Sequence, residues 1–226
     1  MLEKNKKYLQ IAFNRSLKEI SSMIYSLPPS DRIIIEAGYP LLKTYGIGAI
    51  RKIKRWWERK SFRSLSFASY VVADLKCMDR AFTEVEAAAY AGASAATCLG
   101  LAPLETIDAF IRRCEELGID SILDMINVEF PFEILSKLKK QPRVVMLHRG
   151  VDEGEENKEK ELPLHEIERI KSVYDEVLVA IAGGETIEEV ISGVFNDADI
   201  VVVWRPFNEN PERILYITSE FLKEIK

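Results

Sequence analysis

No stretch of this chain approaches the roughly 18 consecutive apolar residues that a membrane-crossing helix needs, so membrane residence is not expected. The amino-terminal run "MLEKNKKYLQIAF" lacks the apolar core and small-residue cleavage site of a secretory signal, which reads as a cytoplasmic protein. Cysteine is sparse. Cys77, Cys98 and Cys114 are odd in number and lack C-x-x-C spacing, which argues against a disulfide framework or a zinc site and for reduced, buried thiols. Positive charge is not in excess either. A formal net charge of -5 gives no general attraction for nucleic acid, and the one basic run, "RKIKRWWERK" from Arg51 to Lys60, reads as a solvated helix end whose Trp56 and Trp57 pack inward.

What is present is a rhythm. Hydrophobic residues make up 47% and charged residues 30% of 226 residues, the balance of a soluble globular chain long enough for one large core. Short β-branched runs alternate with longer amphipathic ones eight times. The strands are expected at Tyr8 to Phe13, Arg32 to Ala37, Tyr70 to Leu75, Ala93 to Leu99, Ser121 to Met125, Arg143 to Leu147, Val177 to Ala182 and Ile200 to Val203. Helices are expected between them at Leu17 to Ser26, Pro40 to Arg59, Phe82 to Ala91, Leu104 to Leu117, Pro131 to Lys139, Leu164 to Val173, Thr186 to Phe195 and Pro211 to Lys223. Eight such βα units predict a single-domain α/β chain, a (β/α)8 TIM barrel over residues 1–226 with a short amino-terminal tail of about seven residues. Gly92, Gly118 and Gly193 fall at or near helix ends, where a left-handed cap favours glycine. The acidic stretch "DEGEENKEKE", Asp152 to Glu161, reads as a solvated loop or a mobile cover over the barrel mouth.

Barrel enzymes carry their chemistry at the carboxyl ends of the strands, and polar residues gather there. The first strand ends at Asn14, the second at Glu36, the third at Asp74 and Lys76, the fifth at Asp124, and the sixth at His148 and Arg149. Asp74 and Lys76 are two apart and share a strand face, with Leu75 turned to the helices. Charges placed there need a partner, a metal or a substrate, because an unpaired buried ion is costly. Glu36 and Asp74 offer hard oxygens of the kind Mg²⁺ takes. His148, one of only two histidines, stands where an imidazole could exchange protons, whereas His165 reads as a surface helix residue. The seventh strand runs into "AIAGGET", where Gly183 and Gly184 bare backbone N–H groups before a helix, and the eighth runs into Arg205. Together these are candidates for a phosphate site.

The segment "VVADLKCMDRAFTEVEAAAYAGASAATCLG" resembles the third and fourth strand region of the 3-hexulose-6-phosphate synthases, members of the orotidine 5'-phosphate decarboxylase superfamily. The similarity continues through "IEAGYPLLKTYGIGAIR", "VVMLHRGVDEG", "VAIAGGETIEEV" and "ADIVVVWRPF". Its most specific part is Asp-x-Lys-x-x-Asp at Asp74, Lys76 and Asp79, accompanied by Glu36, where the decarboxylases usually carry a lysine. The resemblance implies aldol addition of formaldehyde to ribulose 5-phosphate, or its reversal, through an enediolate stabilised by Mg²⁺ on Glu36 and Asp74. It further implies that Lys76 counters developing charge, that His148 moves a proton, and that Asp79 crosses a homodimer interface into the partner's site. Asn14 and Asp124, with the phosphate-site residues, would touch the sugar phosphate. Two positions depart from the family pattern: Asn14 replaces an aspartate, and Trp204 replaces the glycine before the arginine. Orotidine 5'-phosphate decarboxylation and a non-catalytic sugar-phosphate-binding barrel remain the alternatives.

Overall fold

The computed structural model describes residues 2–4, 6–62, 69–157, 159–183 and 186–225. Eight strands, β1 (Tyr8–Phe13), β2 (Ile33–Ala37), β3 (Val71–Cys77), β4 (Ala95–Leu99), β5 (Asp120–Asp124), β6 (Val144–His148), β7 (Leu178–Ala182) and β8 (Ile200–Val203), pair in sequence order. All pairs are parallel, and β1 closes on β8 to complete the barrel. The chain is therefore a single-domain (β/α)8 barrel, as its periodicity predicts.

Parity along the strands divides the core in two, because successive side chains point to opposite faces. Residues such as Tyr8, Ala12, Ile34, Val72, Ile122, Met146, Ala180 and Val202 fill the barrel interior. Their neighbours of opposite parity, among them Leu9, Ile11, Ile35, Ala73, Leu123, Val145 and Val201, pack under the helices. A one-residue slip would exchange these two sets and turn the inward polar residues Gln10, Glu36, Asp74 and Thr97 out under the apolar helices, where they would lack partners.

The helices are α1 (Leu17–Ser26), α2 (Tyr39–Tyr45), α3 (Gly48–Phe62), α4 (Ala81–Tyr90), α5 (Leu104–Glu116), α6 (Pro131–Leu135), α7 (Val151–Glu156), α8 (His165–Val173), α9 (Ile187–Phe195), α10 (Arg205–Glu209) and α11 (Ile214–Glu224). Ser16 and Thr186 open α1 and α9 with capping boxes closed by Glu19 and Glu189, each satisfying helix N–H groups that have no partner within the helix. On α3, Trp57 is wholly buried and Trp56 packs at the core's edge while the charged residues face out. All three cysteines are free and buried.

Several elements depart from expectation. The helix expected over Pro40 to Arg59 is two helices, because Gly46 adopts φ +70° and ends α2. The acidic stretch is not a loop from its start: Val151–Glu156 forms α7, and the Glu153 carboxylate accepts from Gly150 N at 3.1 Å. The amino-terminal tail is not free. Leu2 is buried in the barrel interior, its N–H donating to Asp120 at 3.2 Å and its carbonyl accepting from Arg143 at 2.7 Å.

Gly92 and Gly118 take positive φ at helix ends, but Gly193 lies inside α9 for a packing reason. A Cβ there would stand 2.9 Å from Ile181 Cγ2 and 3.4 Å from Val201 Cγ1, so the missing side chain lets α9 sit close on the barrel. Gly193→Ala is expected to lower stability by about 1–2 kcal/mol, overpacking outweighing the gain in helix propensity. Urea denaturation would show an unchanged or higher midpoint if the contact relaxes freely.

Candidate active site

The parity that fills the interior also builds the mouth. Asn14, Glu36, Asp74, Thr97, Asp124, His148 and Trp204 each follow by two residues an interior position, respectively Ala12, Ile34, Val72, Ala95, Ile122, Met146 and Val202. They share its inward face one layer higher, at the carboxyl ends of the strands. A cavity of about 80 Å³ opens there, lined by Glu36, Asp74, Lys76 and His148 with Asn14, Tyr39, Arg149, Gly183 and Trp204.

Lys76 is the hub. Its Nζ lies 2.7 Å from Asp124 Oδ2 and 3.5 Å from Asp74 Oδ1, and 5.6 Å from the centre of the Tyr39 ring. Burial alone would depress its pKa, but Asp74 and Asp124 outweigh that and hold the ammonium above the ordinary lysine range. Lys76 therefore stays charged at neutral pH. Its backbone is unusual too: φ is +46° where the β3–β4 register shifts, and its N–H donates at 2.9 Å to a side chain of the neighbouring strand, Thr97 Oγ1. A left-handed non-glycine residue costs about 1–2 kcal/mol, and such strain collects at functional sites. Asp74 and Lys76 do face the mouth together, as their spacing predicts, but through this irregularity and not through a regular pleat.

The carboxylates are held differently. Asp74 accepts from Thr97 Oγ1 at 2.9 Å and from Tyr39 N at 3.2 Å. Asp124 is fully buried and accepts from Lys76 Nζ, from His148 Nδ1 at 2.9 Å and from Ile126 N at 3.0 Å. An ionised carboxylate only accepts, so the proton on this edge of His148 sits on Nδ1 and Nε2 is left for proton exchange. Burial alone would raise the Asp124 carboxyl, but His148 and Lys76 hold it below the usual aspartate range. Asp124, one of the residues expected to touch substrate, lies beneath Lys76 and His148 and orients both.

Asp124→Asn should therefore cost about 3 kcal/mol at neutral pH, because it strips Lys76 of its nearest counter-charge. A carboxyl whose folded pKa is depressed adds stability above its unfolded pKa and loses it as the pH falls below about 4. The gap between wild type and Asp124→Asn in urea unfolding should thus narrow at acid pH, and a gap that is constant with pH would sink this account.

Glu36 is buried and accepts from Gln10 Nε2 at 2.5 Å. Burial, then the nearby Asp74 charge, push its pKa up to about 8. Two carboxylates on one wall, one of them reluctant to ionise, form a donor set that a cation would relieve. Among the described residues no cluster of three or more His, Cys, Asp or Glu is placed to hold a metal. Two carboxylate side chains are the donor set of a Mg²⁺ ion that completes its shell with water and substrate oxygens.

The other sequence candidates scatter. Asp79 is exposed and does not line the mouth of its own barrel. Gly183 lines it with φ +95°, and a Cβ there would lie 2.4 Å from the Arg149 carbonyl oxygen; Gly184 lies outside the described residues. Arg205 does not line the mouth: its Nη2 pairs with Glu155 on α7 at 2.7 Å, and its guanidinium stacks on Trp204. His165 is exposed at the start of α8.

Sequence reading passed over Gln10 and Thr97 as site residues and placed Arg149 at the end of the sixth strand without giving it a role. Gln10 and Thr97 are polar residues of inward parity in apolar strands, a signal open to anyone who numbers the pleat. The partners of Arg149 are not marked in the sequence: it donates to the Gly183 carbonyl at 2.6 Å, Glu189 at 2.8 Å and the Lys160 carbonyl at 3.1 Å.

A family model described as Orotidine 5'-phosphate decarboxylase / HUMPS family matches residues 7–212. The curated relative "Bifunctional enzyme Fae/Hps" of Methanothrix thermoacetophila is 38% identical over 221 residues, covering 97% of this chain and 53% of its own length. That of Methanosarcina mazei is 36% identical over 220 residues, covering 96% and 52%. The chain thus spans about half the length of the curated relatives it matches. Among solved structures, 3-hexulose-6-phosphate synthase from Salmonella typhimurium aligns with a TM-score of 0.80 at 25% identity, over 96% of this chain and 99% of that one. Orotidine 5'-monophosphate decarboxylase from Methanocaldococcus jannaschii shares the fold, with a TM-score of 0.67 at 17% identity, over 96% and 97%.

Proposed function

The chain belongs to the Orotidine 5'-phosphate decarboxylase / HUMPS family, and on that premise we propose that it is a Mg²⁺-dependent aldolase of the 3-hexulose-6-phosphate synthase type, joining formaldehyde to ribulose 5-phosphate or running the reverse reaction in the cytoplasm. The observation that carries this reading is Glu36. Glu36 is a buried carboxylate beside Asp74, at the position where the resemblance gives the decarboxylases a lysine, and it leaves two adjacent carboxylates for a cation.

In this reading Glu36 and Asp74 hold the metal, which supplies positive charge where the sugar's oxygens gain negative charge. Removing a proton from the carbon next to the ketone makes an enediolate, whose carbon attacks formaldehyde, and the new alkoxide takes up a proton. His148 is the proton carrier, with Asp124 fixing its ring. Lys76, kept charged by the same two aspartates, faces the developing negative charge. The phosphate end lies toward Gly183 and Arg205, where it must compete with Glu155 for the guanidinium. Asp79 is exposed, as are Met78 and Phe82 nearby, which suits a homodimer interface through which Asp79 reaches the partner's mouth.

The test is formaldehyde consumption with ribulose 5-phosphate, with Mg²⁺ and with a chelator. Metal-dependent consumption is the expected result. Loss of the orotate chromophore from orotidine 5'-phosphate would favour decarboxylation instead. Trp204 on the wall of so small a cavity favours one further reading, a barrel that binds a sugar phosphate without turnover; ligand binding with no reaction under any metal condition would establish it.

A further inference from the structure

Along the β3–β4 ladder Ala73 pairs with Ala96 and Cys77 with Cys98. Three residues of β3, Asp74 to Lys76, therefore stand against a single residue of β4, and that residue is Thr97. Extra residues on one strand leave ladder groups without their regular partners and re-aim the side chains between them. The swelling thus carries both the carboxylate and the ammonium that β3 brings to the mouth.

Thr97 takes up what the ladder drops. Its side chain is buried on the inward face of β4, where Oγ1 accepts from Lys76 N at 2.9 Å and lies 2.9 Å from Asp74 Oδ1. The backbone N–H only donates, a carboxylate only accepts, and a hydroxyl has one proton, so that proton points at Asp74. One oxygen atom therefore holds the left-handed backbone of Lys76 and one edge of the Asp74 carboxylate together. Lys76 Nζ closes the ring, 3.5 Å from the same Asp74 Oδ1, while Tyr39 N holds the other carboxylate oxygen at 3.2 Å. Thr97 is not among the residues lining the mouth cavity, so it acts through these two neighbours.

We propose that Thr97 is a positioning residue of the mouth, whose hydroxyl sets Asp74 and Lys76 relative to each other for metal binding and turnover. The proposal deepens the aldolase reading and rests on it for those two effects, whereas the bond to the Lys76 amide is read separately.

Thr97→Val keeps the shape of the side chain and deletes its hydroxyl; Thr97→Ser keeps the hydroxyl. In Thr97→Val, the affinity for Mg²⁺ by calorimetric titration and kcat for formaldehyde with ribulose 5-phosphate should each fall about 10–100-fold, the loss typical when a group that orients a metal ligand is removed. KM for ribulose 5-phosphate should rise less than kcat falls. The Lys76 amide resonance should shift, and its hydrogen exchange should quicken. Thr97→Ser should recover Mg²⁺ affinity and kcat to within a few-fold of wild type. Thr97→Ala, with the same expectations, serves if Thr97→Val does not fold.

An unchanged Mg²⁺ affinity or an unmoved Lys76 amide in Thr97→Val would overturn the proposal. A Thr97→Ser variant as impaired as Thr97→Val would overturn it too, because packing and not the hydroxyl would then be at work. Wild type that neither binds Mg²⁺ nor turns over would overturn the aldolase reading and this role together; wild type that does both, matched by Thr97→Val, would overturn the role alone.

Discussion

Replacing Lys76 by alanine is expected to lower turnover by at least about 10²–10³-fold, the loss seen when one preorganised charge-stabilising donor is removed, while the barrel still folds. The ammonium sits between Asp124 and Asp74 at 2.7 and 3.5 Å, so its loss leaves two carboxylates facing each other beside Glu36. Breaking a buried pair costs about 3–5 kcal/mol, but the remaining partners soften this: His148 still bonds Asp124, and Thr97 and the Tyr39 N–H still bond Asp74. A lower melting temperature with an intact circular dichroism spectrum is therefore expected alongside the lost activity. Lys76→Arg separates the two effects. It restores the charge but not the compact ammonium, so it should recover more stability than turnover. Turnover in Lys76→Ala within a few-fold of wild type would show that the ammonium has no part in the chemistry.

The barrel and four of its mouth residues were legible because two simple periods carry them. Alternation of β-branched and amphipathic runs marks eight βα units, and the pleat's period of two turns a strand-end residue inward whenever the residue two before it is interior. Glu36, Asp74, Lys76 and His148 all follow from that. Lys76 shows the limit: counting by two puts it in the mouth, but not in the left-handed conformation that brings its N–H to Thr97. That geometry depends on β4, more than 20 residues away. Arg205 shows a similar limit. Its place after β8 is right for a phosphate, yet Glu155, on a helix that the acidic run did not announce, draws the guanidinium aside. Gly193 looked like a helix end because glycine usually marks one, whereas here it marks a close approach to Ile181.

Glu36→Gln should share the loss of activity expected of Lys76→Ala but move stability the other way, upward. With no metal bound, the Glu36 carboxyl has its pKa pushed up to about 8, first by burial and then by Asp74. For an acid raised above its unfolded value, stability is full below the unfolded pKa of about 4.5 and declines as the pH rises toward 8. The metal-free wild type therefore loses on the order of a few kcal/mol across that window, and Glu36→Gln, which cannot ionise and whose carbonyl can still accept from Gln10, does not. The midpoints of the two proteins in urea should coincide near pH 5 and diverge by pH 8, with the variant the more stable. Adding Mg²⁺ should close the gap from the wild-type side, because a cation favours the ionised carboxylate and is bound more tightly as the proton leaves. It should leave Glu36→Gln, now short of one hard anionic ligand, nearly unmoved and without metal-dependent aldolase activity. If the two proteins instead respond to Mg²⁺ alike, the cation is held elsewhere, and the buried carboxylate on β2 serves packing rather than chemistry.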